Sequence, residues 1–233
     1  VKLVFQTSGS LRVADVAALN FARVVLEMVE TTHSPEWESQ TAYARSIIEA
    51  IDAKGEFGID PESVRKLKGL ILRGEARDAA STCRLKYHDS QFLDLPFYET
   101  GRYTRFHLEE ADTAALATIL EDFQPHSIFT TGDASDPSSP QAIAFRAFSG
   151  AWLARGGRDC NVWLYRGRDR PFEAHEIEMA VPMSPDQLDQ KVEAIRKFMS
   201  INDADLNATS RNQEIAKTYD ALGMAEYEAI EAF

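Results

Sequence analysis

Short apolar runs alternate along the chain with longer stretches whose apolar residues return every three or four positions. The runs VKLVFQ (1–6), HSIFTT (126–131), CNVWLYR (160–166) and EIEMAV (176–181) predict strands, and QFLDL (91–95) predicts a weaker one. Asp60 and Pro61 read as N-cap and first-turn proline of a helix over 62–83, in which Val64, Leu67 and Ile71 share one face. Ser184 and Pro185 open a second such helix, lined by Leu188, Val192, Ile195 and Met199. Ser139 and Pro140 open a third. Further helices are expected over 13–30, 40–53, 109–122 and 208–221, with a short closing helix in AEYEAIEAF (225–233). The stretches 31–39 and 87–106 read as surface loops, the second interrupted by the weak strand. Strands alternating with amphipathic helices predict an α/β fold of βα units around a mostly parallel sheet.

Composition narrows this picture. The length of 233 residues suits one large domain or two small ones, of which a single domain over 1–233 is expected, and 44% hydrophobic residues suffice for a sizeable core. A net charge of −12 repels a phosphate backbone, which argues against nucleic acid as a partner. No apolar run approaches the roughly 18 residues of a membrane span. Two cysteines, Cys83 and Cys160, without a CxxC spacing predict a reducing, cytoplasmic setting. Val1 already opens a strand, so further residues are expected upstream of it.

The segment GDASDPSSPQAIAF (132–145) reads as strand, loop, helix, and loops at the carboxyl ends of strands are where open α/β sheets hold ligands. Asp133 and Asp136 are candidates for holding a sugar hydroxyl or a hard cation, although Asp also serves loops by bonding nearby backbone. Gln141 is either a substrate contact or an ordinary polar residue of a first helical turn. Thr7, Ser8 and Gly9, after the first strand, offer hydroxyls and close backbone to a sugar or phosphate, or form a plain turn. Glu99 beside Tyr98 either forms a sugar-binding pair or satisfies backbone donors in a structured loop. His33, His88, His107, His126 and His175 stand at no metal-ligand spacing, and His126, which introduces a strand, reads as a core or strand-end residue. The arginines of YRGRDRP (165–171) either grip an acidic partner or, by default, form a solvated loop. Serine-hydrolase elbow, P-loop and GxGxxG patterns are absent, and no residue is marked as catalytic.

LDLPFYETG (93–101), EIEMAVPMSPDQ (176–187) and LGMAEYEAIEAF (222–233), with QTSGSLRVADVAALNFA (6–22) and GLILRGEARDAASTCR (69–84), carry a resemblance. The chain resembles the PIG-L/LmbE family of zinc-dependent sugar N-deacetylases. Within it, the chain is most similar to the LmbE-like domain that follows a glucosamine-6-phosphate deaminase-like domain in long bacterial proteins. The resemblance implies a Rossmann-like three-layer sandwich. It also implies a zinc site built from a His-Pro-Asp-Asp motif after the first strand and a later histidine, where zinc activates water and polarises an N-acetyl carbonyl.

The chain departs from that pattern at the chemistry. It contains no His-Pro-Asp-Asp, which against the relatives would lie upstream of Val1 together with the first strand. The branch's Asp-Pro-His-Gly-Thr-His is matched by Asp136 and Pro137, but Ser138 and Gln141 stand at its histidine positions. A glutamine amide oxygen is a poor substitute for imidazole at zinc. Phe198, Ile201 and Leu72 stand where the resemblance implies polar or basic residues.

The expectation is therefore a degenerate, non-catalytic deacetylase domain in amino-sugar metabolism that binds no zinc. It would keep a crevice for an amino sugar or sugar phosphate formed by Thr7, Ser8, Asp133, Asp136 and Gln141. Its macromolecular partners would be a second copy of the chain or a covalently attached upstream domain. The alternative is an active zinc-dependent hydrolase of N-acetyl amino sugars with its metal motif upstream, or part of a deaminase-like fusion enzyme.

Overall fold

The computed structural model describes residues 1–32, 36–55, 58–100, 106–132, 136–157, 160–166, 172–201 and 209–233. Their order is β1 (Leu3–Phe5), α1 (Asp15–Thr32), α2 (Trp37–Lys54), α3 (Glu62–Thr82), β2 (Ser90–Phe92), α4 (Pro96–Thr100), α5 (Glu110–Phe123), β3 (Ser127–Thr131), α6 (Pro140–Ala154), β4 (Asn161–Tyr165), β5 (Ala180–Met183), α7 (Pro185–Arg196), α8 (Ser210–Ala221) and β6 (Ala229–Ala232). The fold is mixed α/β. Among the described residues the strands pair two by two, β1 with β2, β3 with β4 and β5 with β6. β3 and β4 are parallel, in register from Ser127↔Asn161 to Thr131↔Tyr165, so β3, α6 and β4 form a βαβ unit. β5 and β6 are antiparallel. No helix among the described residues is long and apolar enough to cross a membrane.

The chain divides into two compact units, Val1–Lys2 with Ser8–Ser90 and Ala194–Ala204, and Leu3–Thr7 with Gln91–Glu193 and Asp205–Phe233. In the first, α1, α2 and α3 bury Ala18, Ala22, Ile47, Ile51, Val64, Ile71 and Leu72, so the stripe read from α3 is its core face. Phe198 and Ile201 pack against this cluster, and Ile201 bridges to Val13. Gly9 sits at φ 66, and a Cβ there would lie 2.7 Å from the Leu72 methyl, so the apolar Leu72 closes directly over the turn. The Glu75 carboxylate accepts hydrogen bonds from the Ser200 backbone N–H (2.9 Å) and hydroxyl (2.7 Å), tying the later segment to α3.

Four charges join the three helices. The Lys68 ammonium donates to Asp15 (2.7 Å) and Asp60 (2.6 Å), while Lys54 donates to Asp15 (2.8 Å) and to Asp60. Lys68 is 4% exposed, and a buried charge costs several kcal/mol unless it is paired. Here two charges of each sign alternate and cancel. Asp60 was expected to cap α3. Its carboxylate instead meets the two lysines, because two ammoniums compete for it better than one backbone N–H.

In the second unit, α5 and α6 close on a core that includes Leu95, Phe97, Leu116, Leu120, Ile143 and Phe148. Ala147, Ala151 and Gly150 on α6 let α5 approach, and a Cβ at Gly150 would lie 3.3 Å from Thr113. The stretch 87–106, expected to be a surface loop around a weak strand, also contains α4, and Leu95 and Phe97 are fully buried. A helix of one turn has no period to read. It is held by Asp112, itself fully buried, whose carboxylate accepts from the backbone N–H groups of Phe97 (3.0 Å) and Glu109 (2.8 Å).

Two further expectations are corrected at the chain's end. Met199 does not extend the α7 stripe: the helix ends at Arg196 and Met199 is 84% exposed. AEYEAIEAF closes as the strand β6, because β5 offers an antiparallel partner from Ala180↔Ala232 to Met183↔Ala229 and Phe233 exchanges backbone bonds with Met179. Tertiary pairing overrides the helical propensity of Ala and Glu. α8 packs on β6 through buried Asn212, whose amide donates to the Ile230 carbonyl (2.9 Å) and to Glu231 (3.1 Å) while accepting from Lys191 (3.0 Å).

Candidate functional site

The loop after β3 begins where Gly132 N–H donates to the Tyr165 carbonyl (2.8 Å), prolonging the β3–β4 ladder by one bond. Asp133 lies outside the described residues. Asp136 Oδ1 accepts from both the backbone N–H (2.8 Å) and the hydroxyl (2.6 Å) of Ser138, and its carbonyl accepts from Ser139 N–H (3.0 Å). This is an Asx turn, the local use of Asp that competes with ligand binding. Ser139 then caps α6, its hydroxyl accepting from Ala142 N–H (3.1 Å), with Pro140 in the first turn as read from the sequence. Arg146 reaches back to the Pro137 carbonyl (3.1 Å). Gln141 is exposed in the first turn of α6. Asp136 and Gln141 thus share one loop–helix junction in the second unit.

Thr7 belongs to the same unit and is half-buried. Ser8 belongs to the first unit, is buried, and accepts from the Ser10 backbone N–H (3.3 Å). That bond and the close approach of Ser8 to Gly69 of α3, 3.3 Å to an added Cβ, define a packed turn.

Zinc takes His, Cys or carboxylate donors, commonly three or four together. Among its described residues the junction supplies one carboxylate engaged by Ser138, a hydroxyl and a neutral amide, and this donor set does not fit zinc. Among the described residues no group of three or more His, Cys, Asp or Glu could hold a metal ion. His33 lies outside the described residues, and His88, His107, His126 and His175 are exposed. His126 stands at the entry to β3, as expected of a strand-end residue, with its carbonyl accepting from Asn161 N–H (3.0 Å).

The remaining signals resolve into structure. Tyr98 is buried and stacks on Phe106 with centroids 5.6 Å apart, so its ring faces core rather than sugar. Arg166 pairs with Glu176 (3.1 Å) and lies over the Phe172 ring. The Glu173 backbone N–H and the Arg166 guanidinium hold the Glu176 carboxyl below its ordinary range. Residues 167–171 of the arginine run lie outside the described residues. The Lys54–Lys68 network and the Asn212 cluster were not legible in the sequence: Asp60 lies 6 and 8 positions from Lys54 and Lys68, but Asp15 joins them only across 39 and 53, and Asn212 meets Lys191 and Glu231 across 21 and 19.

No protein-family profile matches the chain. A protein of Bacteroides thetaiotaomicron named as glucosamine-6-phosphate deaminase-like is 34% identical over 254 residues, an alignment that takes in 100% of this chain. The chain spans 38% of that relative's length. Among solved structures, the conserved protein TT1542 from Thermus thermophilus is similar over 77% of this chain and 76% of its own, at 17% identity and a TM-score of 0.48, too distant to assign the fold.

Proposed function

We propose that this chain is a degenerate LmbE/PIG-L-like domain that keeps the Rossmann-like scaffold of a sugar deacetylase and contributes a binding or structural role, without hydrolysis, to amino-sugar metabolism. The whole-chain likeness to a glucosamine-6-phosphate deaminase-like protein supports the amino-sugar setting, and by the same likeness the domain's working partner would be a deaminase-like domain. The observation that carries the non-catalytic reading is the closed Asp136–Ser138 turn beside an exposed Gln141, at the positions where the resemblance calls for histidines. The apolar packing of Leu72, Phe198 and Ile201 supports the same reading, since each fills core where the resemblance implies a polar group.

Any surviving ligand would be an amino sugar or its phosphate, with hydroxyls offered to Asp136, Gln141 and Thr7. Elemental analysis after dialysis against a weak chelator, combined with acetate release from N-acetylglucosamine and its 6-phosphate, tests the proposal. The expected result is no stoichiometric zinc and no acetate above the blank. About one retained zinc per chain, the stoichiometry of a closed site, or acetate release abolished by Asp136→Ala, overturns it.

A further inference from the structure

The second unit contains a cleft of about 540 Å³ at the ends of β3 and β4 opposite to the loop just described. The five residues of β3, at about 3.3 Å each, put roughly 16 Å between the two places. Two helix-to-strand turns lying side by side build the cleft. α5 stops at Gln124, which adopts φ 47 and donates to the Leu120 carbonyl (3.1 Å) before Pro125 and His126 lead into β3. α6 stops at a glycine turn, with Gly156 N–H on the Leu153 carbonyl (2.9 Å) and Gly157 N–H on the Trp152 carbonyl (3.1 Å), before Cys160 leads into β4. The Asn161 N–H to His126 carbonyl bond joins the two turns.

Among the described lining residues the charge is one-sided. Arg155 and His126 line the cleft, and among its described lining residues none is acidic, in a chain of net charge −12. The Arg155 guanidinium is anchored by donating to the Leu120 carbonyl at the end of α5. A guanidinium carries five donors in a rigid fork, more than one carbonyl uses. Leu120, Ile128 and the Trp152 ring supply apolar wall. The Trp152 indole N–H is buried and makes no hydrogen bond to the described residues, and an orphaned donor beside a cleft calls for an acceptor. The volume lies in the range of small-molecule pockets, which combine apolar walls with a few convergent polar groups.

We propose that this cleft binds a small organic anion, its carboxylate or phosphate held by Arg155 with His126 at the rim and its apolar body against Trp152, Leu120 and Ile128. The site is separate from the deacetylase-like junction and does not depend on how that junction functions.

Cys160 in the cleft wall provides the readout. Burial raises its thiol pKa, against the opposing pull of Arg155, so alkylation is slow and open to competition. In a Cys83→Ala background, which removes the exposed second thiol, iodoacetamide labelling of Cys160 is followed with phenyl phosphate, with benzoate, and with benzyl alcohol as the neutral control. Saturable protection is expected from phenyl phosphate, benzoate or both, slowing labelling about tenfold near ten times Kd. The two arms tell a phosphate head from a carboxylate head. Benzyl alcohol should not protect, Arg155→Met should abolish protection, and Asp136→Ala should leave it intact.

Should Arg155→Met fail to fold, amide and indole NMR shifts of the unsubstituted protein decide. Phenyl phosphate or benzoate should move the Trp152 indole and Gly157 signals and not those of 136–142. No protection by either anion, equal protection by benzyl alcohol, or shifts confined to 136–142 would overturn the site.

Discussion

Replacing Lys68 by Met should destabilise the protein strongly although the side chain stays long and the position stays filled. Lys68 is 4% exposed and its ammonium lies 2.7 Å from Asp15 and 2.6 Å from Asp60. Without it, the two carboxylates lose one of the two ammoniums that they share. Removing one partner of a buried pair costs about 3–5 kcal/mol. The Asp15 side chain is 34% exposed and can turn partly to water, which moves the expectation to the lower end, about 3 kcal/mol. Total stabilities are about 5–15 kcal/mol. For a chain of this size, about 3 kcal/mol lowers Tm by roughly 6–12 °C. Urea unfolding followed by far-UV circular dichroism measures the loss. Adding Asp60→Asn to Lys68→Met removes one stranded charge and should recover about 1 kcal/mol or more. Lys66→Met, at the exposed end of a pair with Glu62, is the control and should leave the midpoint unchanged. A loss below about 1 kcal/mol for Lys68→Met, the level of a surface pair, or a double variant that loses the sum of both single losses, would refute the coupled buried network.

The same cluster sets a pH dependence. Burial pushes the Asp15 carboxyl up, but Lys54 and Lys68 outweigh it and hold it below 3.8; its contribution is therefore full above that value and is lost as pH falls through the folded pKa, so Asp15→Asn should flatten the acid limb of a plot of urea midpoint against pH below about 4. Asp112→Ala leaves the buried Phe97 N–H without its acceptor and removes a helix-start bond, an expected loss of about 2–4 kcal/mol by denaturant titration. Ser139→Ala removes the α6 cap and should cost about 1 kcal/mol in the same assay. Gln141→His should raise neither zinc content nor acetate release, because one exposed imidazole beside an engaged carboxylate does not make a three-ligand site; a clear gain in either counts against the degenerate reading.

Most helices were legible in the sequence because an amphipathic stripe is a local property. Val64 and Ile71 announce the buried face of α3, and Ser139–Pro140 announces the start of α6 at the residue where it begins. Ser138 and Gln141 were equally legible as departures from the pattern that the resemblance implies, since a residue type at a position needs no coordinates to be read. The junction's closed turn needed them. Asp136 could have faced a ligand or its own loop, and only the position of Ser138 decides for the loop.

What tertiary structure alone decided are the choices among partners that no local pattern pairs. Asp60 carried a capping signal at short range, yet Lys54 and Lys68 claim its carboxylate through the packing of three helices, and charge attraction at under 3 Å outweighs a local preference. Ala229–Ala232 has the composition of a helix and becomes a strand because β5 stands ready with unpaired backbone groups, and satisfying a backbone ladder outweighs an intrinsic propensity of a few tenths of a kcal/mol per residue. The Arg155 cleft exists only because two helix ends, at Gln124 and Arg155, are brought side by side by the β3–β4 pair. The sequence by itself determined where chain segments could bury a face and at which positions it departs from the pattern that its resemblance implies; the fold determined which charge, backbone group or wall each segment met, because those energies depend on distances that no local pattern encodes.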